Sequence, residues 1–227
     1  MTQMSDTGPV EPPEIGLDEA YSVSTPEDNR RLYRQWASTY ETGFVSDNGY
    51  IYPFQVAAAF MENAESAIRR VLDIGCGTGL VGVGLRALGG HQPDGLDLSP
   101  EMLDEAGLKT DPEGRPIYRN LIVGDLTAGL ALPDGAYDAI VSAGTFTHGH
   151  VGPGAFDELY RVAADGALFV VGINSDHYEK LGFSGRFRRD WDSGRISEPE
   201  IRRVPIFEAG ENADERAILV IFRSTGG

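Results

Sequence analysis

A short apolar strand that runs into a glycine-rich turn is the feature of this sequence that most constrains its fold. Val71–Ile74 is followed by Gly75, Gly77 and Gly79, and residues 80–88 then have the composition of a helix. Strand, glycine turn and helix in this order form the first unit of a parallel α/β sheet. Glycine permits the sharp bend and leaves no Cβ in the way of a ligand. The free N–H groups at the start of the helix favour negative or polar ligand groups.

The residues after the turn predict further strands and helices of one α/β domain. They are expected as a strand ending at Asp97, a helix at 101–108, a strand ending at Asp125, a strand at 137–142, a helix at 153–162 and a strand at 167–173. The last of these strands is apolar throughout, which is typical of a central strand buried on both faces. The 227 residues, 41% of them hydrophobic, suffice for one core of this kind.

The two ends of the chain differ from this alternating pattern. Residues 1–20 are rich in proline and acidic side chains and are predicted to form a flexible tail. Residues 21–69 are predicted to contain two helices, at about 24–40 and from Pro53 onward, which form an N-terminal helical cap or lid over a core at residues 70–227.

The C-terminal part predicts two strands at 203–208 and 217–223, antiparallel because the connection between them is short. Residues 174–200 lack a clear periodicity. Insertions near the mouth of a sheet often determine specificity, so Phe183, Phe187 and Trp191 are expected to form a wall for the substrate.

Acidic side chains follow three successive strands. Asp73, Asp97 and Asp125 are expected at the carboxyl ends of these strands, where open parallel sheets bind ligands. Asp97 can accept hydrogen bonds from both ribose hydroxyls, which fits NAD as well, and residues 77–82 match the G-x-G-x-x-G spacing of dinucleotide sites, although late after the strand. Asp73 would repel a pyrophosphate but suits the cationic methionine end of S-adenosylmethionine, and Asp125 suits an adenine amino group. The carboxylates therefore favour S-adenosylmethionine, with a nicotinamide-dependent oxidoreductase as the alternative.

These residues carry a resemblance to a known family. Val71-Leu-Asp-Ile-Gly-Cys-Gly-Thr-Gly79, Gly95-Leu-Asp-Leu-Ser99 with Met102-Leu103, Gly124-Asp125-Leu126 and Tyr137-Asp-Ala-Ile-Val141 resemble the signature of class I S-adenosylmethionine-dependent methyltransferases over about residues 70–173. The resemblance implies a seven-stranded Rossmann-like sheet of order 3-2-1-4-5-7-6, with strand 7 antiparallel. Tyr33-Arg-Gln-Trp-Ala-Ser-Thr-Tyr40 and Ser142-Ala-Gly-Thr-Phe-Thr-His-Gly-His150 are similar to the Williams–Beuren-region methyltransferase-like group.

The resemblance and the strand-end pattern together define a set of predicted cofactor-binding residues. Tyr40 is implied to lie close to S-adenosylmethionine, where an aromatic ring would attract the sulfonium, and Ala143 and Gly144 are implied to line it. Cys76 is expected to fill space in the turn. The complete predicted set is Tyr40, Asp73, Gly75, Cys76, Gly77, Thr78, Gly79, Asp97, Leu98, Met102, Asp125, Leu126, Ala143 and Gly144.

His148 and His150 are the candidate catalytic residues. They follow the fourth strand at the mouth of the expected crevice, and imidazole titrates near neutral pH, so either could remove a proton from an acceptor. A role in loop packing or in shaping the substrate site is the alternative. Two histidines at i and i+2 without nearby carboxylates do not indicate a metal site, and none is predicted.

Composition limits the substrate and the location. The formal net charge of −16 opposes binding to phosphate backbones, so nucleic acid is not the expected partner. One cysteine, Cys76, excludes a disulfide framework within the chain, and no secretory signal or 18-residue apolar stretch is present, so the expected location is the cytoplasm with no membrane partner. The predicted activity is O-, N- or S-methylation of a small molecule. Methylation of a protein or RNA group, or binding of S-adenosylmethionine without turnover, are the alternatives.

Overall fold

The computed structural model of the protein describes residues 26–37, 39–146, 151–208 and 214–225. The α-helices are α1 (Pro26–Trp36), α2 (Ser46–Asn48), α3 (Tyr52–Asn63), α4 (Leu80–Gly89), α5 (Pro100–Gly107), α6 (Phe156–Val162), α7 (Ser175–Lys180) and α8 (Phe183–Asp192). A π-helical turn at Glu41–Val45 precedes α2, and a 3₁₀ turn at Pro153–Ala155 precedes α6. The strands are β1 (Val71–Ile74), β2 (Asp94–Asp97), β3 (Asn120–Val123), β4 (Tyr137–Phe146), β5 (Ala163–Asn174), β6 (Glu200–Pro205) and β7 (Arg216–Arg223).

All seven strands belong to one sheet, in the order β3-β2-β1-β4-β5-β7-β6. The strands from β1 to β5 pair in parallel, whereas β7 runs antiparallel to both β5 and β6. This confirms the predicted α/β sheet with strand 7 antiparallel. In chain order, β2 and β3 lie on one side of β1, and β4 lies on its other side. The direction in which successive strands are placed therefore reverses between β1 and β4. In open parallel sheets this is where a crevice forms at the carboxyl ends of the strands.

The core lies on both faces of the sheet because successive residues of a strand point to opposite sides. In β5, Phe169 and Val171 are buried with side chains of α6 and α8. Leu168 and Val170 are buried with side chains of α3 and α4 on the other face. The central strands are therefore apolar in succession, as predicted for strands covered on both sides.

The N-terminal helices are shorter than predicted. α1 ends at Trp36, so Tyr40 lies beyond it at the start of the π-helical turn, and α3 ends at Asn63. Ile68 lies beyond α3, in the connection to β1, and is nevertheless only 5% exposed. Residues 1–20, predicted to be a flexible tail, lie outside the described residues.

Residues 174–200, which showed no periodicity, contain two helices. The α7 helix is capped at its N-terminus by Asn174, whose side chain accepts hydrogen bonds from the N–H groups of Asp176 and His177. In α8 the buried positions are Phe183, Arg186, Phe187 and Asp190, at spacings of three and four residues. The helical pattern was hidden because two of the four buried positions carry charged side chains, which pair with each other.

Within the described ranges, no helix is both long and apolar enough to cross a membrane.

Candidate functional site

A cavity opens at the carboxyl ends of β1, β2 and β4, where the strand order reverses. The glycine turn after β1, the segments that follow β2 and β3, and the end of β4 form its floor. Aromatic side chains from the segment before β1 cover it, and Asn174, Ile206 and Phe207 close the side nearest β5 and β6. A largely apolar cavity with a few polar groups at one end is the usual form of a small-molecule site.

The glycine turn is shaped by close packing at one residue and leaves open space at another. Gly75 and Gly77 have positive φ angles of 63° and 51°, which L side chains rarely adopt. A Cβ on Gly75 would lie 2.0 Å from Oγ1 of Thr145, whereas a Cβ on Gly77 would meet nothing within 4 Å. Gly75 therefore allows the turn to pack against β4, and Gly77 leaves a bare backbone facing the cavity.

Asp97, at the end of β2, is held in place by the turn of β1 and by its own connection. Its Oδ2 accepts a hydrogen bond of 2.8 Å from the Gly77 N–H, and its Oδ1 accepts one of 2.9 Å from the Ser99 N–H. Burial raises the pKa of this carboxyl, and backbone N–H groups, including those of Gly77 and Ser99, partly offset the rise by stabilising the charged form. The carboxylate is thus fixed on the cavity wall before any ligand arrives.

Asp73 lies behind the glycine turn rather than on the cavity wall. It is fully buried, and its Oδ2 accepts a hydrogen bond of 2.6 Å from the Tyr118 hydroxyl. Its Oδ1 has no hydrogen-bond partner. Burial raises the pKa of Asp73 to about 7, against the opposing effect of the Tyr118 hydrogen bond and with a further rise from the charge of Asp97. Its charge therefore changes near neutral pH.

Asp125 follows β3 and begins a tight turn. Its Oδ1 accepts hydrogen bonds from the N–H and the hydroxyl of Thr127, at 2.8 and 2.6 Å. Such a turn stabilises the loop and fixes the carboxylate at its entrance. Leu126 and Met102, both buried, lie on the cavity wall with it. This corner combines a polar acceptor with flat apolar surface, which suits a heteroaromatic ring.

The end of β4 is attached to the end of β1 by two hydroxyl groups. Ser142 Oγ and Thr145 Oγ1 each lie 2.8 Å from the carbonyl oxygen of Ile74. Ala143 and Gly144, between them in sequence, line the cavity. The side chains of Ser142 and Thr145 therefore stabilise the cavity wall by hydrogen bonding to β1.

Five aromatic side chains that precede α3 cover the cavity. We call them the aromatic roof, and they are Tyr33, Trp36, Tyr40, Phe44 and Tyr50. The Trp36 ring is central: its centroid lies 4.9 Å from that of Tyr40 and 5.2 Å from that of Phe44, and the side chain is 2% exposed. Edge-on and stacked aromatic pairs at such distances are favourable beyond the area that they bury.

Two ion pairs join the covering segment to the region of α5. Arg34 Nε lies 2.9 Å from Glu101, and Lys109 Nζ lies 2.7 Å from Glu41. The Arg34 pair is exposed, and exposed pairs contribute at most about 1 kcal/mol. Ring packing therefore holds the aromatic roof in place more than these charges do.

Most of the predicted cofactor-binding residues come together at this cavity. Twelve of the fourteen line it: Tyr40, Gly75, Cys76, Gly77, Thr78, Asp97, Leu98, Met102, Asp125, Leu126, Ala143 and Gly144. Asp73 and Gly79 do not; the first lies behind the turn and the second caps the start of α4. His148 and His150, the predicted catalytic residues, lie outside the described residues.

The predicted substrate wall in residues 174–200 is wrong. Phe183 and Phe187 are at most 1% exposed and pack with Phe156 in the core, and Trp191 packs against Arg188. None of the three predicted side chains lines the cavity. They belong to the apolar face of α8, which packs against the sheet. The sequence pattern did not predict this helix and therefore did not assign them to the core.

Other cavity residues gave no signal in the sequence. Phe44, Tyr50 and Tyr52 lie in a stretch that reads neither as a regular helix nor as a strand, and Phe207 comes from the far end of the chain. Phe207 reaches the roof because β6 is the edge of the sheet beyond β7, and its ring centroid lies 5.7 Å from that of Tyr50. A contact between such distant segments requires the folded chain.

The polar groups of the cavity fit an adenosyl amino acid better than a pyrophosphate. Gly77 leaves room for a ligand beside its backbone, and the Thr78 hydroxyl and Asp73 Oδ1 are buried without partners. The carboxylates of Asp73, Asp97 and Asp125 would repel phosphate groups but suit hydroxyl, amino and ammonium groups. In the described part of the chain, no group of three or more His, Cys, Asp or Glu is placed to hold a metal ion.

Comparison with known proteins agrees with this geometry. Residues 72–171 match the family model described as a methyltransferase domain. Methyltransferase-like protein 27 of Homo sapiens is 37% identical over 102 residues, which is 44% of this chain and 39% of that protein. An 18S rRNA (guanine-N(7))-methyltransferase of Bos taurus is 46% identical over 72 residues, which is 32% of this chain and 23% of that protein. The chain thus spans less than half the length of these curated relatives.

The fold is shared with solved structures over a greater length. The complex between the Haloferax volcanii Trm112 methyltransferase activator and a methyltransferase contains a chain that superposes with a TM-score of 0.64. It is 18% identical, and the match covers 86% of this chain and 98% of that one. At this identity the likeness establishes the shared sheet and helices.

Proposed function

We propose that the protein, whose residues 72–171 match a methyltransferase domain, is a class I S-adenosylmethionine-dependent methyltransferase that transfers the methyl group of S-adenosylmethionine to a small molecule. The observation that carries the proposal is the Asp97 carboxylate, held by the N–H groups of Gly77 and Ser99 at the edge of a cavity with bare glycine backbone. A carboxylate in this position can accept hydrogen bonds from the two ribose hydroxyls of a nucleoside.

Each part of the cofactor has a matching part of the cavity. Asp97 would bind the ribose, and Asp125 with Leu126 and Met102 would bind the adenine. The glycine turn, with Asp73 behind it, would receive the cationic amino acid end. Tyr40 and the rest of the aromatic roof would cover the sulfonium, to which aromatic faces are attracted. The order of polar and apolar groups along the cavity supports this arrangement of the cofactor.

S-adenosylmethionine supplies a methyl group on a positively charged sulfur, which is already a good leaving group. The contribution left to the protein is orientation of the acceptor and exclusion of water, which together can supply much of the rate. The aromatic roof and Phe207 can exclude water. The hydrogen bonds between the ends of β1 and β4 stabilise the floor of the cavity. His148 or His150 as the group that removes a proton from the acceptor stays a prediction.

The surroundings of the cavity support a small, largely apolar acceptor. Its cover and its side nearest β6 are aromatic, and the chain carries a net charge of −16, which opposes a phosphate backbone. Methylation of oxygen, nitrogen or sulfur all remain compatible with such a site. RNA or a protein side group is the second candidate, favoured by the sequence likeness to an 18S rRNA methyltransferase.

We also propose a functional division of the chain. Residues 21–69 would act as a lid and residues 70–227 as the catalytic core, supported by the position of the aromatic roof over the cavity. Location in the cytoplasm stays a prediction from the sequence.

Isothermal calorimetry tests the cofactor. We expect S-adenosylhomocysteine to bind with a dissociation constant in the micromolar range or below and NAD⁺ not to bind. Binding of NAD⁺ alone would overturn the assignment.

A labelling experiment tests the activity and the acceptor class. The protein would be incubated with S-adenosylmethionine carrying a tritiated methyl group and with either the small-molecule or the RNA fraction of a cell extract, using Asp97→Ala as the inactive control. We expect label in the small-molecule fraction with the unaltered protein only. Label in RNA would favour the second candidate, and binding without transfer to any fraction would favour a non-catalytic binding protein.

A further inference from the structure

Tyr118 connects three parts of the cofactor end of the fold. It lies between α5 and β3, is 5% exposed, and belongs to no regular element. Its hydroxyl donates to Asp73 Oδ2 at 2.6 Å and accepts a hydrogen bond of 3.2 Å from the Gly82 N–H in the first turn of α4. One hydroxyl group therefore links the end of β1 to the start of the helix after the glycine turn.

The ring of Tyr118 also explains why glycine stands at positions around it. A Cβ on Gly79 would lie 2.8 Å from the ring, one on Gly82 would lie 2.5 Å from it, and one on Gly95 would lie 2.8 Å from it. Real Cβ atoms essentially never come this close to another heavy atom. The first turn of α4 and the middle of β2 are thus packed directly onto the tyrosine, which fixes the hydroxyl relative to Asp73.

Asp73 faces no compensating positive charge within the described residues. The titratable groups that act on it are Tyr118, Asp97 of β2 and Cys76 of the glycine turn, and none of them is cationic. Burial and Asp97 both disfavour its ionisation, and the Tyr118 hydrogen bond favours it. A hydrogen bond from a neutral donor to a carboxylate stabilises the charged form.

We propose that Tyr118 is a positioning residue that keeps the Asp73 carboxylate charged and fixed behind the glycine turn, where its charge favours the cationic amino group of the cofactor. The inference rests on the proposed function. It assigns a role to a residue outside the methyltransferase sequence motifs, and it explains why a buried acidic side chain has one strong donor and an otherwise unpaired oxygen.

A tyrosine that merely fills the core would affect every ligand of the cavity alike. A tyrosine that acts through Asp73 affects only ligands with the cationic end. S-adenosylhomocysteine has this end, whereas 5′-methylthioadenosine shares the adenosine part and lacks the amino acid. The pair of ligands therefore separates the two roles.

The experiment compares Tyr118→Phe with the unaltered protein by calorimetry at pH 7.5. Phenylalanine keeps the ring that packs against the glycines and removes only the hydroxyl. Tyr137→Phe is the matched control, because the buried Tyr137 also donates to a carboxylate, Asp94, at 3.0 Å. Asp94 is the first residue of β2, and neither it nor Tyr137 lines the cavity. Melting temperatures without ligand show whether each variant is folded.

We expect Tyr118→Phe to weaken S-adenosylhomocysteine binding about tenfold, since a hydrogen bond to a charged group is lost. Binding of 5′-methylthioadenosine should change less than about twofold, and Tyr137→Phe should alter neither ligand. The pH at which S-adenosylhomocysteine affinity falls to half should rise in Tyr118→Phe, because loss of the hydrogen bond from Tyr118 raises the pKa of Asp73. Equal losses for both ligands, or no loss for either, would overturn the proposal.

A second variant keeps the test decisive if Tyr118→Phe is unstable. In an Asp73→Asn background, which removes the charge, Tyr118→Phe should cause no further selective loss of S-adenosylhomocysteine binding. A full additional loss would show that the tyrosine does not act through Asp73. If the unaltered protein bound no S-adenosylhomocysteine, the proposed function itself would fall, an outcome distinct from a failure of the variant pattern.

Discussion

Asp97 is the single side chain whose removal should affect the cofactor most. Its two oxygens are oriented by the N–H groups of Gly77 and Ser99, so Asp97→Ala removes the proposed ribose contact and also the hydrogen bond that holds the glycine turn. Charge-assisted hydrogen bonds are the strong ones, and losing a bidentate contact should weaken S-adenosylhomocysteine binding well over tenfold. Calorimetry measures the affinity, and circular dichroism confirms that the fold is kept.

The control for this variant is Asp104→Ala, which removes an exposed carboxylate on α5 with the same change of net charge. It should leave the affinity within about twofold, since exposed charges contribute little. Unchanged affinity in Asp97→Ala would reject the ribose-binding role.

Asp73 should make the unliganded protein less stable as the pH rises. Its pKa in the folded state, about 7, is above the ordinary value of 3.8, so its contribution to stability is fully present below pH 3.8 and is lost as the pH rises to about 7. Asparagine cannot ionise and escapes this cost. We therefore expect the melting temperature of Asp73→Asn, relative to the unaltered protein, to be several degrees higher at pH 8 than at pH 4.5, with about 2–4 °C per kcal/mol.

Asp94→Asn should behave in the opposite sense. Its side chain accepts hydrogen bonds from Arg119, Asn120 and Tyr137, which hold its pKa below the usual value despite the opposing effect of burial. A carboxyl of this kind stabilises the folded state above its unfolded pKa, so the variant should melt lower at pH 8. Equal pH dependence in the two variants would contradict the different environments assigned to them.

The residues of the glycine turn and the strand ends could be predicted from the sequence because each lies at the end of its strand or within a few residues after it. The spacing along the chain therefore reports the spacing in the fold. Tyr118 could not be predicted, since it lies 45 residues after Asp73 in an irregular segment. Nothing in local periodicity indicates which side chain of a loop turns back onto the sheet.

At the level of elements, the aromatic roof is the part whose contribution is most separable from the core. Trp36 packs on Tyr40 and Phe44, and all three lie on one segment before α3. Loss of this ring should loosen the cover of the cavity while the sheet, which is held by other contacts, stays intact. Elements that cover ligands are usually drawn from the less stable parts of a fold.

Trp36→Ala should therefore weaken S-adenosylhomocysteine binding about tenfold, mainly through faster dissociation, with little change in the secondary structure. Trp191→Ala is the matched control, because it removes the only other tryptophan of the chain, which packs against Arg188 away from the cavity. Stopped-flow displacement measures the dissociation rate. A similar effect of both substitutions would show that the loss reflects general destabilisation.

The central strands could be predicted from the residues, and the family resemblance implied their order in the sheet, whereas α7 and α8 could not be predicted. Strands buried on both faces produce continuous apolar runs that the sequence displays directly. The buried face of α8 instead includes Arg186 and Asp190, which are compatible with burial only because they pair at 2.6 Å and Arg186 also pairs with Asp157. Asp157 lies 29 positions before Arg186 in the chain. A local sequence pattern does not indicate that such a distant partner allows a charged residue to be buried.

At the scale of the whole molecule, the negative net charge and the aromatic cavity both favour an acceptor that is not a polyanion. The chain has 35 acidic and 19 basic residues, and several of the arginines are already engaged in ion pairs on α8 and near β3. A surface of this kind repels polyanions at any distance within the screening length, about 10 Å at 0.1 M salt. A neutral acceptor that enters a covered, aromatic cavity is not affected by this field.

The charge therefore predicts that the protein does not bind RNA by itself. Non-specific binding depends on phosphate contacts from lysine and arginine, with typical dissociation constants of about 10⁻⁴–10⁻⁶ M at physiological salt. The fluorescence anisotropy of a labelled single-stranded RNA should stay unchanged up to ~50 µM protein, a concentration inside that range. A lysine-rich peptide serves as the positive control. Saturable binding that weakens steeply with added salt would instead reveal a local basic surface. In that case the RNA candidate would replace the small molecule, since electrostatic attraction of the substrate would then outweigh the net repulsion.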